Sequence, residues 1–380
     1  MYIKKVNLEN FRNYSRLGVE FFDGINVIEG KNAQGKTNLL EAIFFCCIGK
    51  SLRASREREV IKFGEDTARI KVEVQKYYKA SEIYLLFSRL AKKTIKIDGI
   101  PIKRIGELFG ELNAVYFSPD ELRLIKDAPE DRRRFMDIHI SQISKQYFYY
   151  LGRYEKILAN RNKLLKDCKD VQVLKETLPI WDTQLVEVGA KIVRMRIDFV
   201  ENLSPYAQKA HTYLTANSET LGLEYTGGAV LQGKGGLPLE QELQLIKDDF
   251  SKRLQKSVDK DIKLGYTSVG PHRDDIKISV NDIDIRSFGS QGQQRTVALS
   301  LKLAELEIMK EETGEMPILL LDDVLSELDA GRRERLLKFC AKTQTFITGT
   351  DFPKGLPNAK YFRVENATIM LFRLSTEPAE

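Results

Sequence analysis

The residues best suited to chemistry stand at Gly30-Lys31-Asn32-Ala33-Gln34-Gly35-Lys36-Thr37, which follows the phosphate-binding pattern G-x-x-x-x-G-K-[ST]. Glycines let the backbone wrap closely around phosphate, so that successive N–H groups and a helix N-terminus face the negative charge. Lys36 has the reach for the β- and γ-phosphates of ATP, and the Thr37 hydroxyl suits a Mg²⁺ ion. The context agrees: Ile25, Val27 and Ile28 alternate as a strand just before it. After it, Leu39, Leu40, Ile43 and Phe44 recur at helical spacing, which predicts a helix from about Lys36 to Ile48.

A second set of acids lies far along the chain. Pro317-Ile318-Leu319-Leu320-Leu321-Asp322-Asp323 reads as an apolar strand ending in two carboxylates, the Walker B form. Alternation along a strand sends the two carboxylates apart. Asp322 is then placed to hold the Mg²⁺ hydration shell beside Thr37, and Asp323 to orient an attacking water. Two acids after an apolar run also suit a helix N-cap. The phosphate loop in the same chain favours the metal and water roles, with Lys36, Asp322 and Asp323 as the catalytic set.

Phe288-Gly289-Ser290-Gln291-Gly292-Gln293-Gln294-Arg295 opens a further helix and resembles the signature of ABC-type ATPases, which implies nucleotide contacts from Ser290, Gly292 and Gln293. Ser290 equally suits a simple N-cap of its own helix. Ser326-Glu327-Leu328-Asp329 resembles the D-loop that follows Walker B. In ABC-type ATPases the signature completes the site of a partner copy, which implies an ATP-dependent, head-to-tail homodimer. Two departures from the transporter pattern imply slow turnover: Asp323 stands where a glutamate is usual, and Thr350 where the switch histidine is usual.

The elements that must position these residues divide the chain. Strand-like alternation fills residues 1–30 and returns at 68–75, 81–88 and 94–98. From Ser118 to about Ala210 the pattern is helical, punctuated at Pro119, Pro129, Pro179 and Pro205. Two helices with apolar faces at Tyr150–Leu165 and Leu185–Phe199 are expected to pair as an antiparallel hairpin across a connector, Cys168–Pro179. A glycine-rich loop at Thr226–Leu237 and a helix at about Leu239–Gln255 follow. The expectation is an α/β fold: an ABC-type ATPase head, with a P-loop α/β core and an antiparallel β subdomain, from residues 1–117 and 265–380. A mostly helical lobe is inserted at 118–264.

Composition is that of a soluble globular chain, with 42% hydrophobic and 30% charged residues. No apolar run approaches the ~20 residues that cross a bilayer, so a cytoplasmic protein without a membrane partner is expected. The four cysteines (Cys46, Cys47, Cys168, Cys340) lack metal-ligand spacing and read as reduced, mostly buried thiols. A net charge of +6 is compatible with a nucleic-acid partner without requiring one.

Together these motifs, with Leu8-Glu9-Asn10-Phe11-Arg12-Asn13-Tyr14, Phe117-Ser118-Pro119-Asp120-Glu121-Leu122, Asp131-Arg132-Arg133-Arg134-Phe135-Met136-Asp137 and Gly270-Pro271-His272-Arg273-Asp274-Asp275, resemble the RecF family of bacterial DNA replication and repair proteins, compact relatives of the SMC ATPases. The resemblance covers essentially the whole chain. It implies ATP-dependent DNA binding as a dimer, preference for single-strand/double-strand junctions and gaps, partnership with RecR and RecO, and help in recombinase loading. An ABC transporter subunit is the alternative, and an SMC-like organiser would need long heptad arms that are absent. For DNA, the basic face of the insertion is the candidate surface: Arg132, Arg133, Arg153, Arg161 and Lys163. Interleaved acids also suit a solvated helix face, and Arg132–Arg134 also suit a brace against the head. Tyr147–Tyr150 suit either base stacking or hairpin core. His272 suits either a place near the nucleotide or an ordered turn, and Phe11–Tyr14 is a candidate adenine contact by position.

Overall fold

The computed structural model describes residues 1–54, 56–227, 237–350, 356 and 358–372. The chain forms two compact units, Met1–Glu121 with Lys209–Ser218 and Ala298–Glu380, and Leu122–Gln208 with Glu219–Val297.

The first unit contains two six-stranded sheets. One is antiparallel, with Tyr2–Phe11 between Tyr14–Glu20 and Thr67–Gln75, followed outward by Ala80–Ser88, Thr94–Ile97 and Ile100–Pro101. Its central strands alternate buried and half-buried residues, as period-two sequences with one covered face should. The second sheet has a parallel core, ordered Ala359–Glu365, Ile25–Glu29, Thr345–Gly349, Ile318–Asp322, Ala114–Phe117, with Thr368–Phe372 antiparallel on one edge. Ile318–Asp322 and Thr345–Gly349 are buried at every residue, which explains the unbroken apolar run Ile318–Leu321 and why neither strand alternates with a solvated face.

The helix Lys36–Ile48 packs against strands of both sheets. Eleven of its residues, Glu41 included, are buried. Phe45 meets Phe87 of the antiparallel sheet edge to face at 4.9 Å, while Phe44 meets Tyr116 of the parallel one at 5.6 Å. A helix covered on both flanks is apolar all round rather than amphipathic. Its boundaries are those its sequence predicts. Cys46 and Cys47 are buried on it as free thiols; Cys340 is also buried and Cys168 half-buried.

The second unit is built on the helices Pro129–Ile143, Lys145–Asp167, Leu239–Leu264 and most of Val171–Leu214, with a small sheet of Leu221–Thr226, Asp275–Val280 and Ile283–Asp284. Three expectations need correction. The helical connector is only residues 168–170, because the second helix begins at Val171 and runs 44 residues through Pro179 and Pro205. Proline removes one backbone donor but does not end a helix whose flanks are packed: Leu174 and Leu178 are buried against Leu165, with Val258 and Ile262 beside them. That same packing extends the helix from Leu239 to Leu264, well past Gln255. The strand Leu221–Thr226, which pairs with Asp275–Val280, was not expected at all. Of the glycine-rich loop, residues 228–236 lie outside the described residues.

A buried ionic cluster ties this unit together. Tyr147, Tyr154, Ile157, Arg161 and Leu165 are the buried positions of the helix Lys145–Asp167, so Arg161 lies on the apolar stripe itself. Arg161 is fully buried, with Nε donating to Asp182 at 2.6 Å and Nη1 to Asp261 at 2.8 Å and Thr267 at 2.9 Å. Arg196 repeats the arrangement with Asp137, Tyr147 and the Pro271 carbonyl. Removing one partner of such a cluster strands the others without solvent, at about 3–5 kcal/mol. Arg161→Met should therefore destabilise this unit by roughly that amount. The chain's single tryptophan, Trp181, adjoins Asp182, so denaturant unfolding followed by its fluorescence reads the effect directly. An unchanged midpoint would mean the cluster contributes nothing net.

Candidate nucleotide-binding site

The phosphate-binding loop links Ile25–Glu29 to the helix Lys36–Ile48. Gly30 lies so close to the neighbouring strand that a Cβ there would sit 2.5 Å from the Val364 carbonyl. Gly35 has φ +117°, and a Cβ on it would meet the Asn13 amide and Tyr14 hydroxyl at 2.8–2.9 Å. Both glycines are fixed by geometry as well as by ligand chemistry. Asn13 Nδ2 donates to Gln34 O at 2.9 Å and Tyr14 Oη to Gly35 O at 3.0 Å. Asn366 N donates to Gln34 Oε1 at 2.6 Å, and Gly30 N to Gly349 O at 3.2 Å. Arg12 makes a two-pronged bond to Glu41. The Phe11–Tyr14 segment is thus a brace for the loop and its helix. Lys31, Asn32 and Ala33 are exposed at the loop's crest.

Lys36 is buried, its Nζ donating to the Gly30 and Lys31 carbonyls at 2.6 and 2.9 Å. Burial lowers its pKa, opposed by the charges of Asp323 and Asp322, so both acids lie within electrostatic reach of the ammonium. Thr37 Oγ1 donates to Asp322 Oδ1 at 3.0 Å, closing a sequence separation of 285 residues. Register explains the closure: Ile25–Glu29 pairs with Thr345–Gly349, which pairs with Ile318–Asp322.

Two further hydroxyls reach Asp322. Thr348 Oγ1 donates to Oδ1 at 2.6 Å, and Tyr116 Oη to Oδ2 at 2.8 Å. Neither was singled out from sequence; Thr348 is the register partner of Asp322, a relation only strand pairing discloses. A hydroxyl oxygen beside a carboxylate is a hard, all-oxygen donor set that fits Mg²⁺. No group of three or more His, Cys, Asp or Glu with metal-holding geometry occurs among the described residues. One carboxylate beside one hydroxyl suits an ion that shares its shell with phosphates and water. Thr37 and Asp322 are the residues that would hold it, and the ion would supply neutralisation of phosphate charge.

Asp323 leaves the strand in a left-handed conformation, φ 56°, which aspartate tolerates better than most residues. Its N–H bonds to Thr348, and Ser326 Oγ donates to its carbonyl at 2.9 Å. Asp329 N-caps the helix Ala330–Cys340, accepting from Arg332 N at 2.9 Å. Thr350 is exposed just beyond Gly349.

Ser290 belongs to the second unit. Its Oγ accepts from Gln293 N at 3.2 Å while Gln293 Oε1 accepts from Ser290 N at 3.0 Å, a reciprocal capping box. Gln293 Nε2 is spent on Glu219. The N-cap reading is therefore realised, and it leaves Ser290, Gln291 and Gly292 exposed at the helix start.

The basic residues of the insertion divide. Arg132 is buried, with Nε and Nη2 on Asp275 at 2.6 and 3.0 Å. Arg161 is buried as described. Neither presents a surface to phosphate, which corrects their selection as DNA contacts. Arg133 is half-buried and donates to Asp274 O, whereas Arg153 and Lys163 are exposed. Tyr147 is core, and Tyr149 is exposed. Residues 118–264 hold 24 Lys and Arg against 22 Asp and Glu, so the insertion carries little net charge. Residues 49–66 and 88–104 hold 11 against 5, an excess equal to that of the whole chain. These two segments meet in the first unit: Lys93 Nζ donates to Gly49 O at 2.6 Å, and Arg89 bonds to the Glu65 and Asp66 carbonyls.

His272 orders a turn. Its Nε2 donates to Thr267 O at 3.1 Å, and its Nδ1 accepts from Tyr154 Oη at 2.8 Å. Burial lowers its pKa from 6.5 to about 4, with Arg273 and Arg133 adding to the effect and the Thr267 bond opposing it. The folded value lies below the unfolded one, so the unfolded chain takes up this proton first. His272 therefore costs no stability above pH 6.5 and should lower it progressively between pH 6.5 and about 4. The His272 ring protons should show no titration shift from pH 8 to 5 by NMR; a midpoint near 6.5 would mean the turn is open to water.

The profile of the RecF/RecN/SMC N terminal domain family matches residues 2–351. The DNA replication and repair protein RecF of Clostridium novyi is 42% identical over 97% of this chain and 99% of its own. The RecF protein of Ruminiclostridium cellulolyticum is 45% identical, with the same coverage of both chains. A solved structure of the recombination mediator protein RecF-ATPrS in the RecFOR pathway superposes with a TM-score of 0.88, at 38% identity over 98% of each chain. With its nucleotide loop, Walker B strand and both sheets in place, this chain belongs to the RecF family of SMC-like ATPases.

Proposed function

We propose that this chain is an ATP-dependent DNA-binding protein of recombinational repair and replication, with the first unit as the core of the ATPase head and the helical insertion as its lobe. The 3.0 Å bond between Thr37 and Asp322 carries the nucleotide reading, because it joins phosphate loop and Walker B strand into one oxygen-lined site. Water attacks the γ-phosphorus, the bond to the β-phosphate oxygen breaks, and ATP and water become ADP and phosphate. Lys36 balances charge on the phosphates, and Asp323 orients the water. Turnover is slow and DNA-stimulated. The relatives' names support the repair role, and the RecFOR pathway of the solved relative supports RecO and RecR as partners in a cytoplasmic setting.

Gating is by dimerisation. The exposed start of the helix Gln291–Thr313 presents Ser290 and Gly292 to the γ-phosphate of a second copy, head to tail, and hydrolysis releases the pair. Ser290→Arg places a bulky cation at that junction while leaving the chain's own phosphate loop untouched. It should bind ATP as the parent does and remain monomeric with ATP by light scattering. Dimerisation at parental affinity would remove the trans role.

DNA binds chiefly through the basic edge at residues 49–66 and 88–104, with Arg153 and Lys163 as secondary contacts. The charge partition supports this order. A labelled gapped duplex, titrated with protein in Mg-ATP, Mg-ADP or no nucleotide at two salt concentrations, tests it by fluorescence anisotropy. Tight, salt-sensitive binding in ATP alone is expected. Replacing Arg89 and Lys92 by glutamate should weaken it and flatten the salt dependence more than Arg153→Glu with Lys163→Glu. Absence of binding in every state, with ATP hydrolysis intact, would overturn the repair reading.

A further inference from the structure

The carboxylate of Asp322 is gripped at both oxygens by groups that the phosphate-loop and Walker B patterns do not contain. Tyr116 lies on Ala114–Phe117, in register with Leu320, two residues before Asp322 on the adjacent strand. Residues two apart share a sheet face, so the phenol runs past Leu320 and delivers its hydroxyl to Oδ2 at 2.8 Å. The phenol is 6% exposed, with the Phe44 ring 5.6 Å away. From the other neighbouring strand, Thr348 donates to Oδ1 at 2.6 Å, and the same Thr348 oxygen accepts from Asp323 N at 3.1 Å.

These bonds constrain one degree of freedom that matters. A carboxylate at the end of a short side chain turns about its last torsion, a broad and soft rotation. With Oδ2 committed to Tyr116 and Oδ1 to Thr348, turning it breaks both bonds inside a buried site. The oxygen that faces Thr37 is therefore the one Thr348 also holds, with the carboxylate plane fixed. Mg²⁺ demands near-ideal octahedral placement of its shell, so it is sensitive to such a rotation.

We infer that Tyr116 and Thr348 are positioning residues for the metal of this site: they lock the rotation of the Asp322 carboxylate and thereby set metal affinity, without touching nucleotide. The inference rests on the nucleotide reading above. Thr348 also shares its hydroxyl between the two acids, so the orientation of Asp322 and the left-handed turn at Asp323 are fixed by one group.

The test measures Mn²⁺ binding to the full-length protein by electron paramagnetic resonance, in the presence of a non-hydrolysable ATP analogue. Binding of a fluorescent ATP analogue in EDTA is measured in parallel. Tyr116→Phe keeps the ring and its packing and deletes only the hydroxyl. It should weaken Mn²⁺ about tenfold, the lower end of what outer partners of metal ligands usually control. Analogue affinity in EDTA should stay within about twofold, the precision of the comparison with a tenfold effect. Thr348→Val should act likewise and Thr348→Ser should restore the affinity, a pattern that a general loss of packing does not produce. The Thr348 pair decides the matter alone if Tyr116→Phe does not fold. Parental Mn²⁺ affinity in folded Tyr116→Phe and Thr348→Val overturns the inference and leaves the nucleotide reading standing. Failure of the parent protein itself to bind the analogue, with or without Mn²⁺, overturns both.

Discussion

A helix that is apolar on every side is stable in water only when both of its flanks are covered, and the helix Lys36–Ile48 has a six-stranded sheet on each. Much of the nucleotide site follows from that burial. The helix cannot tilt without opening contacts such as Phe45 to Phe87 or Phe44 to Tyr116, so its N-terminus is held in place. The loop before it is then pinned by Asn13, Tyr14, Gly349 and Asn366. Backbone N–H groups that must converge on phosphate are pre-set by packing rather than assembled by ligand. Glu41, buried inside this apolar helix, is tolerable because Arg12 and Ser51 satisfy its carboxylate.

Charge is used in two ways in this chain, and burial distinguishes them. Arg132, Arg161 and Arg196 are almost wholly buried, each against carboxylates, so they act as cross-links between segments of the second unit. Such pairs contribute little net stability compared with apolar packing, but they are costly to break, which favours one arrangement of the helices over near-equivalent ones. Residues 49–66 and 88–104 have the opposite character: their excess of cations equals the chain's net charge, and most of those cations face water. Counting charges along the insertion without their acids merges these two roles.

The hydroxyl groups around Asp322 show how a parallel sheet assembles a site from distant segments. Tyr116, Asp322 and Thr348 stand on three adjacent strands, and Thr37 begins the helix that covers them. Each comes from a different part of the chain, and the pairing order alone makes them neighbours. These groups thus gather at the carboxyl ends of the strands, where α/β sheets generally place their sites.

What the sequence by itself determined was local. The loop Gly30–Thr37, the helix Lys36–Ile48, the strand ending in Asp322 and the helix opening after Ser290 are written in short-range patterns: glycines at fixed offsets, apolar spacing and a capping residue. Tertiary structure alone decided the rest, because it depends on which strand lies beside which. Pairing made Thr348 and Tyr116 partners of Asp322, and it recruited Leu221–Thr226 to a sheet that its composition did not announce. It also decided that Pro179 would ride inside a 44-residue helix, since packing of Leu174 and Leu178 outweighs one missing backbone bond. The fate of the arginines was of the same kind. Arg161 falls on the stripe of Tyr154, Ile157 and Leu165, so its spacing hinted at burial. Only the facing Asp182 and Asp261, brought in from other helices, made burial of its charge affordable.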